Sequence, residues 1–412
     1  MTATYVVNPT VRAVSSTVPD RSPLAFHRRL PGYAPTPLVN LPNLAQILGL
    51  GQVWLKDESR RLGLPSFKML GASYATYRAL EARCGGFPDW QTVDELAALC
   101  APLRPFTLAA ATDGNHGRAV AHMARLLGFA ARIFVPAGTT QARIEAIMGE
   151  GAAVTIVDGT YDQAVIRSAQ EAGPRCLVVS DTSWPGYEDI PRQVITGYAT
   201  IFTEVDDELA RRDELGPNLV VVQIGVGALM AAAVSHYRQS DERPVTSNNS
   251  GEFVSAELTV AKAPAILGVE PIQAACVLAS LKAGRIVEVP GPHDSIMAGL
   301  NCGLPSLIAW PIISSGIDAV VAIDDQRACQ SVRDLAAMGI TAGETGAAGF
   351  GGLAEALFGP NAAALREHLG INHTTRVLLI STEGETDPVV RSRILTANCA
   401  RDCTVREACK VN

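Results

Sequence analysis

The chain has 412 residues, of which 48% are hydrophobic, 18% charged and 5% aromatic, and its formal net charge is -7. This length exceeds what one small hydrophobic core requires and suits two lobes or one large α/β unit. The net negative charge argues against nucleic acid or an anionic membrane surface as a partner. We therefore expect a soluble enzyme that acts on a small molecule.

The sequence contains no recognisable targeting or membrane segment. Its apolar runs are shorter than the ~20 residues of a membrane helix, and residues 1–16 lack the basic and apolar parts of a signal peptide. We expect a cytoplasmic protein whose 9 cysteines are reduced. Cys399, Cys403 and Cys409 have a C-x3-C-x5-C spacing that matches none of the usual zinc patterns, so no metal is expected there.

Short apolar segments alternate with amphipathic helical stretches along most of the chain. The strand candidates are residues 53–55, 107–110, 131–135, 154–157, 176–179, 219–223, 265–269 and 377–380. Strands separated by helix-length segments pair in parallel through right-handed crossovers, which predicts a doubly wound α/β fold. Residues 1 to about 40 are predicted to form an arm on the surface, and the polar stretch 240–256 an exposed loop.

Ligands of such sheets bind where strands end and loops lead into helices. The first loop of interest, SFKMLGA, places Lys68 before the helical segment SYATYRALEARC. The positive end of a helix dipole and burial both lower the pKa of an amine, as imine chemistry requires. A solvated surface lysine satisfies the same pattern, so this loop alone does not establish a site.

Three further loops follow predicted strands. ATDGNHG has small residues around Asn115, although a capped glycine-rich turn explains it equally well. GVGAL begins at Gly225 before an Ala-rich helix, so its consecutive amides suit a phosphate, although a bare GVG is a weak signal. STEGETD, starting at Ser381, is a polar cluster suited to a heteroaromatic ring nitrogen.

In this order the four loops resemble those of fold-type II pyridoxal-phosphate enzymes, and among these the chain is most similar to the diaminopropionate ammonia-lyases. The resemblance runs from about Thr36 to about Asp387. The segments that carry it are LPSFKMLGASYA, ATDGNHGRAVA, VSDTSWPGYEDIPRQVITGYATI, QIGVGALMAA, IMAGLNCGLPS, GITAGETGAAG and ISTEGETDP. Serine and threonine dehydratases have nothing comparable to the stretch 181–198.

The resemblance implies pyridoxal 5'-phosphate as the cofactor, bound as a Schiff base to Lys68. Asn115 is expected to contact the cofactor's 3'-oxygen, and Ser381 or Thr382 its ring nitrogen, with the choice between the two left open. The loop expected to bind the phosphate consists of Gly225, Val226, Gly227, Ala228 and Leu229.

The resemblance also implies two catalytic carboxylates beside Lys68. Asp113 stands where the dehydratases have the serine of S-x-G-N-H, and Asp181 lies in the segment SDTSW. Both are expected to act on the Cα proton and on the substrate's β-amine, which is a cation where dehydratase substrates carry a neutral hydroxyl. A structural cap on the following turn is the alternative for Asp181. Further substrate contacts are expected from Ser66, Thr112, Tyr161 and Glu344.

The expected reaction is the α,β-elimination of D- or L-2,3-diaminopropionate, through an external aldimine and an aminoacrylate, to pyruvate and ammonia. The alternatives are a lyase or β-replacement enzyme acting on serine, threonine or another β-substituted alanine, and a protein that binds the cofactor without turnover. The resemblance further implies a homodimer. We predict a large domain of residues 1–85 and 192–412 and a small domain of residues 86–191, with the cofactor in the cleft between them.

Overall fold

The computed structural model describes residues 4–9, 11, 20–238 and 263–396. Its strands are β1 (Thr4–Val7), β2 (Leu38–Asn40), β3 (Gln52–Asp57), β4 (Thr107–Ala111), β5 (Ala130–Pro136), β6 (Ala153–Val157), β7 (Cys176–Val178), β8 (Leu219–Gln223), β9 (Ala265–Pro271), β10 (Ala319–Ile323) and β11 (Arg376–Ser381). The predicted loop 240–256 and Cys399, Cys403 and Cys409 lie outside the described residues.

The α-helices separate and follow these strands. They are α1 (Ser22–His27), α2 (Pro42–Leu48), α3 (Lys68–Cys84), α4 (Val93–Leu99), α5 (Asn115–Leu127), α6 (Gln141–Met148), α7 (Tyr161–Ala169), α8 (Asp189–Arg211), α9 (Ala228–Tyr237), α10 (Cys276–Ala283), α11 (Ala309–Gly316), α12 (Asp325–Ala337), α13 (Glu344–Phe358), α14 (Ala362–Leu369) and α15 (Pro388–Thr396). None of the helices in the described ranges combines the length and apolarity needed to cross a bilayer.

The larger sheet is 7-stranded, in the order β1-β10-β9-β8-β11-β3-β2. Its five central strands are parallel, and the two edge strands, β1 and β2, pair antiparallel with their neighbours. The strand candidates of the sequence are confirmed, and the structure adds β1, β2 and β10. These three went unrecognised although β10 has the sequence AVVAI, a short apolar run like the others.

Both faces of the larger sheet are buried. In β3, Val53 and Leu55 belong to one hydrophobic core with α2, α12, α13 and α14, whereas Trp54 belongs to another with α3, α8 and α9. Alternate residues of a strand point to opposite faces, so a strand covered on both sides must be apolar at nearly every position. The predicted mostly parallel α/β architecture is confirmed.

The smaller sheet is 4-stranded, in the order β6-β5-β4-β7, and all its strands are parallel. Its central strand β4 is almost entirely buried and is followed directly by the loop 112–114 and α5. The carboxyl ends of β4, β8 and β11 therefore each lead into one of the loops singled out in the sequence.

A buried group of ionic side chains joins the edge of the larger sheet to α8. Glu204 accepts hydrogen bonds from Lys56 Nζ at 2.7 Å and from Arg61 Nη1 at 2.7 Å and Nη2 at 2.8 Å. Arg61 also contacts Glu58 through Nε and Nη2, both at 2.7 Å. Two cations and two anions thus offset one another between α8 and the segment that leads to Lys68, which compensates for part of the cost of burying them.

Candidate active site

Most of the site residues expected from the sequence line one cavity, here called the inner cleft. Those in its lining are Lys68, Thr112, Asp113, Asn115, Tyr161, Asp181, Gly225, Val226, Gly227, Ala228, Leu229 and Thr382.

Lys68 is the first residue of α3, and its Nζ lies 2.6 Å from Oδ2 of Asp181. Burial lowers the pKa of this amine, but the charges of Asp181, Tyr198 and Asp113 and the hydrogen bond to Asp181 outweigh burial and raise the pKa above its usual value. The lowered pKa predicted for Lys68 is therefore wrong. The dipole of a helix is equivalent to about half a charge, which counts for less than a carboxylate in direct contact.

The position of Lys68 depends on a close crossing of α3 and α8. A Cβ on Gly71 would lie 2.5 Å from Cε1 of Tyr198, and a Cβ on Gly197 would lie 2.6 Å from the backbone oxygen of Leu70. Only glycine permits such an approach of the two helices. The ring of Tyr198 also packs on Phe67, with ring centroids 4.7 Å apart, directly before the lysine.

Asp181 is held from two sides and is buried. Besides Lys68, the Tyr161 hydroxyl donates to its Oδ1 at 2.7 Å, and Nδ1 of His116 lies 4.0 Å from its Oδ2. Burial raises the pKa of the Asp181 carboxyl, but the positive charge of Lys68 and the surrounding donors lower it well below its usual range. Burial and the neighbouring carboxylate raise the pKa of Tyr161, which keeps this phenol protonated as a donor.

Asp113 lies in the same cleft, but its pKa is shifted in the opposite direction to that of Asp181. Burial raises its pKa to about 6, and Asp181 and Glu383 add to the increase, while Arg143 and Lys68 work against it. Two carboxyl groups in one site whose pKa values are moved apart in this way are suited to different tasks.

Glu383 also lines the inner cleft and was missed in the sequence. Its Oε2 accepts a hydrogen bond from the side-chain amide of Asn115, and its Oε1 accepts from the backbone of Thr345 at 3.3 Å. Its backbone forms an isolated bridge with Ser66. Because a carboxylate can only accept hydrogen bonds, Glu383 orients the Asn115 side chain with its amide nitrogen toward the Glu383 loop. Glu383 belongs to STEGETD, the loop from which the sequence predicted only the hydroxyl groups of Ser381 and Thr382 as cofactor contacts.

The structure separates the two hydroxyl candidates of that loop. Thr382 lines the inner cleft, and its Oγ1 accepts a hydrogen bond from Nε2 of Gln223 at 2.9 Å. Ser381 ends β11, is fully buried, and its hydroxyl has no hydrogen-bond partner among the described residues. Ser381 is not part of the cleft lining.

The loop from Gly225 to Leu229 leads into α9. Gly227 has φ of +97°, and a Cβ on it would lie 2.5 Å from Ile313, while a Cβ on Gly225 would lie 2.9 Å from the backbone oxygen of Gly299. In the part of the chain that the structure describes, the backbone N–H groups of residues 225–229 donate to no protein acceptor. Unpaired amides at the start of a helix form a site for an anion.

Two residues expected to contact substrate lie outside the inner cleft. Ser66 is buried beside Glu383, and its Oγ accepts from the backbone of Lys68 at 3.4 Å. Glu344 begins α13 and lines a second cavity, here called the outer cleft. Asp113 and Tyr161 line both cavities, so the outer cleft adjoins the inner one. Groups of side chains able to hold a metal ion are absent from the described ranges.

The geometry of the site agrees with comparisons to known proteins. The family model of the pyridoxal-phosphate dependent enzymes matches residues 29–384. The diaminopropionate ammonia-lyase of Salmonella typhimurium is 37% identical over 390 residues, covering 90% of both chains. The crystal structure of the Escherichia coli diaminopropionate ammonia-lyase in complex with D-serine has a TM-score of 0.83 and 31% identity, and the match covers 96% of this chain and 97% of that chain.

A second structure of the Escherichia coli enzyme, in complex with an aminoacrylate-PLP azomethine reaction intermediate, has a TM-score of 0.80 and 32% identity over the same shares of both chains. Family model, sequence relatives and solved structures therefore agree. The chain belongs to the diaminopropionate ammonia-lyase family of the pyridoxal-phosphate dependent enzymes.

Proposed function

We propose that the protein eliminates ammonia from 2,3-diaminopropionate and forms pyruvate and a second ammonia, with pyridoxal phosphate as cofactor. The observation that carries this proposal is the pair of carboxylates, Asp113 and Asp181, that share one cleft with Lys68. Diaminopropionate carries an ammonium group on Cβ where serine and threonine carry a neutral hydroxyl, so a second carboxylate in the site complements it better than it would complement serine or threonine. The similarity to the Salmonella and Escherichia coli enzymes supports the same substrate.

The residues present fit the cofactor. The amine of Lys68 would hold its carbonyl carbon, and the unpaired amides of residues 225–229 would hold its phosphate. Asn115, oriented by Glu383, would donate to its 3'-oxygen, and Thr382 would meet its ring nitrogen. When bound, pyridoxal phosphate supplies an electron sink for the electron pair released at Cα.

The two carboxyl groups would act differently on the substrate. Asp113, with a pKa raised to about 6 by burial, is mostly ionised at neutral pH and still basic enough to accept the Cα proton. Asp181 stays ionised because Lys68 and Tyr161 stabilise its anion, so it would pair with the β-ammonium group. Lys68, released from its bond to the cofactor, would be the second group able to accept a Cα proton.

Separate bases for the two enantiomers would follow if Lys68 and Asp113 lie on opposite faces of the substrate. Turnover of D- and L-diaminopropionate by Asp113→Asn tests this point. We expect loss of activity on one isomer and retention of much of it on the other. Equal loss on both isomers contradicts face-specific roles.

The function itself is tested by the near-ultraviolet and visible absorbance of the purified protein, with pyruvate assayed in the same cuvette. We expect an imine band that changes on addition of diaminopropionate while pyruvate forms, and no imine band in Lys68→Ala. A band with pyruvate formed only from serine, threonine or another β-substituted alanine would keep the chemistry and change the substrate. No band after addition of pyridoxal phosphate refutes the proposal.

We also propose the organisation of the whole enzyme. The smaller sheet would form the core of a small domain of residues 86–191, the larger sheet that of a large domain of residues 1–85 and 192–412, with the cofactor between them. A cytoplasmic homodimer is the proposed state of the protein. Light scattering after size-exclusion chromatography measures the mass and decides between one chain of 43.4 kDa and two.

A further inference from the structure

The outer cleft contains polar groups that have no hydrogen-bond partner in the described part of the chain. It is lined by residues of the segments 136–143, 159–161 and 292–296, together with Glu344 and Asp387. Four of its lining side chains carry a buried polar atom without a hydrogen-bond partner among the described residues: Thr140 Oγ1, Arg143 Nε, His293 Nδ1 and Glu344 Oε1. Buried polar atoms are nearly always paired in native proteins, so four in the lining of one cavity indicate a ligand.

One part of this wall is suited to a carboxylate. Among the described residues, the hydrogen bonds of the Arg143 guanidinium are long, from Nη1 to the backbone oxygen of Asp113 at 3.4 Å and from Nη2 to Oγ1 of Thr386 at 3.5 Å. Its fork of donors is therefore available for bidentate binding of a carboxylate. The unpaired hydroxyl of Thr140 lies three residues before it, at the start of α6, and offers a further donor.

Another part is suited to an ammonium group. Glu344 is 3% exposed and has an unpaired Oε1. Nε2 of His293 lies 2.7 Å from the backbone oxygen of Val289, which requires the proton on Nε2 and leaves Nδ1 of the neutral ring as an acceptor. Asp387 adds a second carboxylate to the lining, close enough to raise the pKa of Glu344. Burial and the negative charge of Glu383 raise the pKa of Glu344 to about 7, so a bound cation would stabilise the ionised form of this side chain.

We infer that the outer cleft is a second binding site that takes an amino-acid zwitterion, with the carboxylate on Arg143 and the ammonium group on Glu344. That its natural occupant is the substrate rests on the proposed function. Asp113 and Tyr161 belong to both cavities, so an amino acid in the outer cleft lies next to the place where it would react. The surplus of carboxylates over cations in the lining disfavours a phosphate or another simple anion.

The test is calorimetric titration of the holoenzyme with N,N-dimethylglycine. This compound has the carboxylate and the protonated nitrogen, but a tertiary amine cannot form an imine with the cofactor. We expect saturable binding with an unchanged cofactor absorbance spectrum. Because each partner contributes a charge-assisted hydrogen bond of about 1.5–3 kcal/mol, Arg143→Gln and Glu344→Gln are each expected to weaken binding by at least about 10-fold.

Control variants and control compounds distinguish binding in the outer cleft from nonspecific effects of a substitution or of charge. Arg132→Gln removes an exposed cation of β5 that pairs with Glu171, and is expected to bind like the wild type. Arg143→Lys keeps the charge but loses the bidentate fork, so it is expected to bind the probe more weakly than the wild type, and it provides the test if Arg143→Gln does not fold. Acetate and dimethylammonium present the two halves of the probe, and each alone is expected to bind more weakly than the whole.

Several outcomes overturn the inference: no binding of N,N-dimethylglycine, binding that both Gln variants leave unchanged, or acetate binding as tightly as the zwitterion, which would make this an anion site only. Pyruvate formation from diaminopropionate is measured separately on the same preparation. If the probe binds but no pyruvate forms, the proposed function is refuted and this inference stands. If pyruvate forms but the probe does not bind, this inference is refuted and the proposed function stands.

Discussion

We expect Glu204→Gln to destabilise the protein more than the replacement of any other carboxylate in α8 by its amide. The Glu204 carboxylate accepts from Lys56 and Arg61, and also from the hydroxyl of Tyr33 at 2.9 Å and the backbone of Thr36 at 3.2 Å. A Gln amide nitrogen cannot accept any of the bonds made to the oxygen that it replaces. The variant would also leave one cation buried without its counter-charge.

The magnitude follows from this environment. Removing one partner of a buried ion pair costs about 3–5 kcal/mol, because the remaining charge stays desolvated and uncompensated. We therefore expect a loss of that order in the free energy of unfolding, measured by urea denaturation at neutral pH. Glu208→Gln is the matched control in the same helix, since Glu208 pairs only with Arg211 and Arg212 near the surface, and about 1 kcal/mol or less is expected there.

The effect should depend on pH in a defined direction. Burial raises the pKa of Glu204, but the hydrogen bonds and charges of Arg61 and Lys56 outweigh burial and lower it to about 2 from 4.5. A carboxyl with a lower pKa in the folded state stabilises that state above pH about 4.5, and the contribution is lost as the pH falls toward 2. The wild type and Glu204→Gln should therefore converge in acid.

A compensating substitution provides the strictest test of this reasoning. Lys56→Met in the Glu204→Gln background removes the uncompensated cation and should recover part of the lost stability. A loss for Glu204→Gln no larger than for Glu208→Gln, or a double variant that is simply the sum of its parts, would refute the account of a charge-balanced group.

Three further predictions concern the inner cleft. Tyr161→Phe removes one donor to the Asp181 carboxylate without leaving a cavity, so the free energy of unfolding at neutral pH should fall by about 1.5–3 kcal/mol; no change would mean that the bond contributes nothing. Thr382→Val should alter the absorbance spectrum of the bound cofactor, whereas Ser381→Ala should leave it as it is, and the reverse result would exchange their roles. Gly71→Ala places a methyl group 2.5 Å from the Tyr198 ring and should lower the unfolding free energy by about 1–3 kcal/mol, with a lower melting temperature by calorimetry. An unchanged melting temperature would show that the helices can separate freely.

Much of the fold and of the inner cleft could be predicted from the sequence because the rules involved are local. Apolar runs separated by helices define parallel strands, and within each sheet the loops at their carboxyl ends lie at one edge. Lys68, Asn115 and the loop 225–229 were found by this route and lie in one cleft.

What could not be predicted depends on partners that are distant in the chain. The raised pKa of Lys68 comes from Asp181, which is 113 residues away, and no local pattern reveals that contact. The orienting contact of Glu383 with Asn115 spans 268 residues. Arg143 belongs to no recognised motif, and only the unpaired polar atoms of the outer cleft identify it as a candidate binding residue.

The backbone around Lys68 depends on residues near the other end of the described chain. Phe67 donates to the backbone oxygen of Thr382 at 3.1 Å, Gly384 donates to that of Pro65 at 2.9 Å, and β3 lies between β2 and β11. During synthesis the lysine therefore leaves the ribosome more than 300 residues before the strand that completes its surroundings. A chain that is only partly made carries the reactive amine without the cleft, so cofactor capture is coupled to completion of the larger sheet.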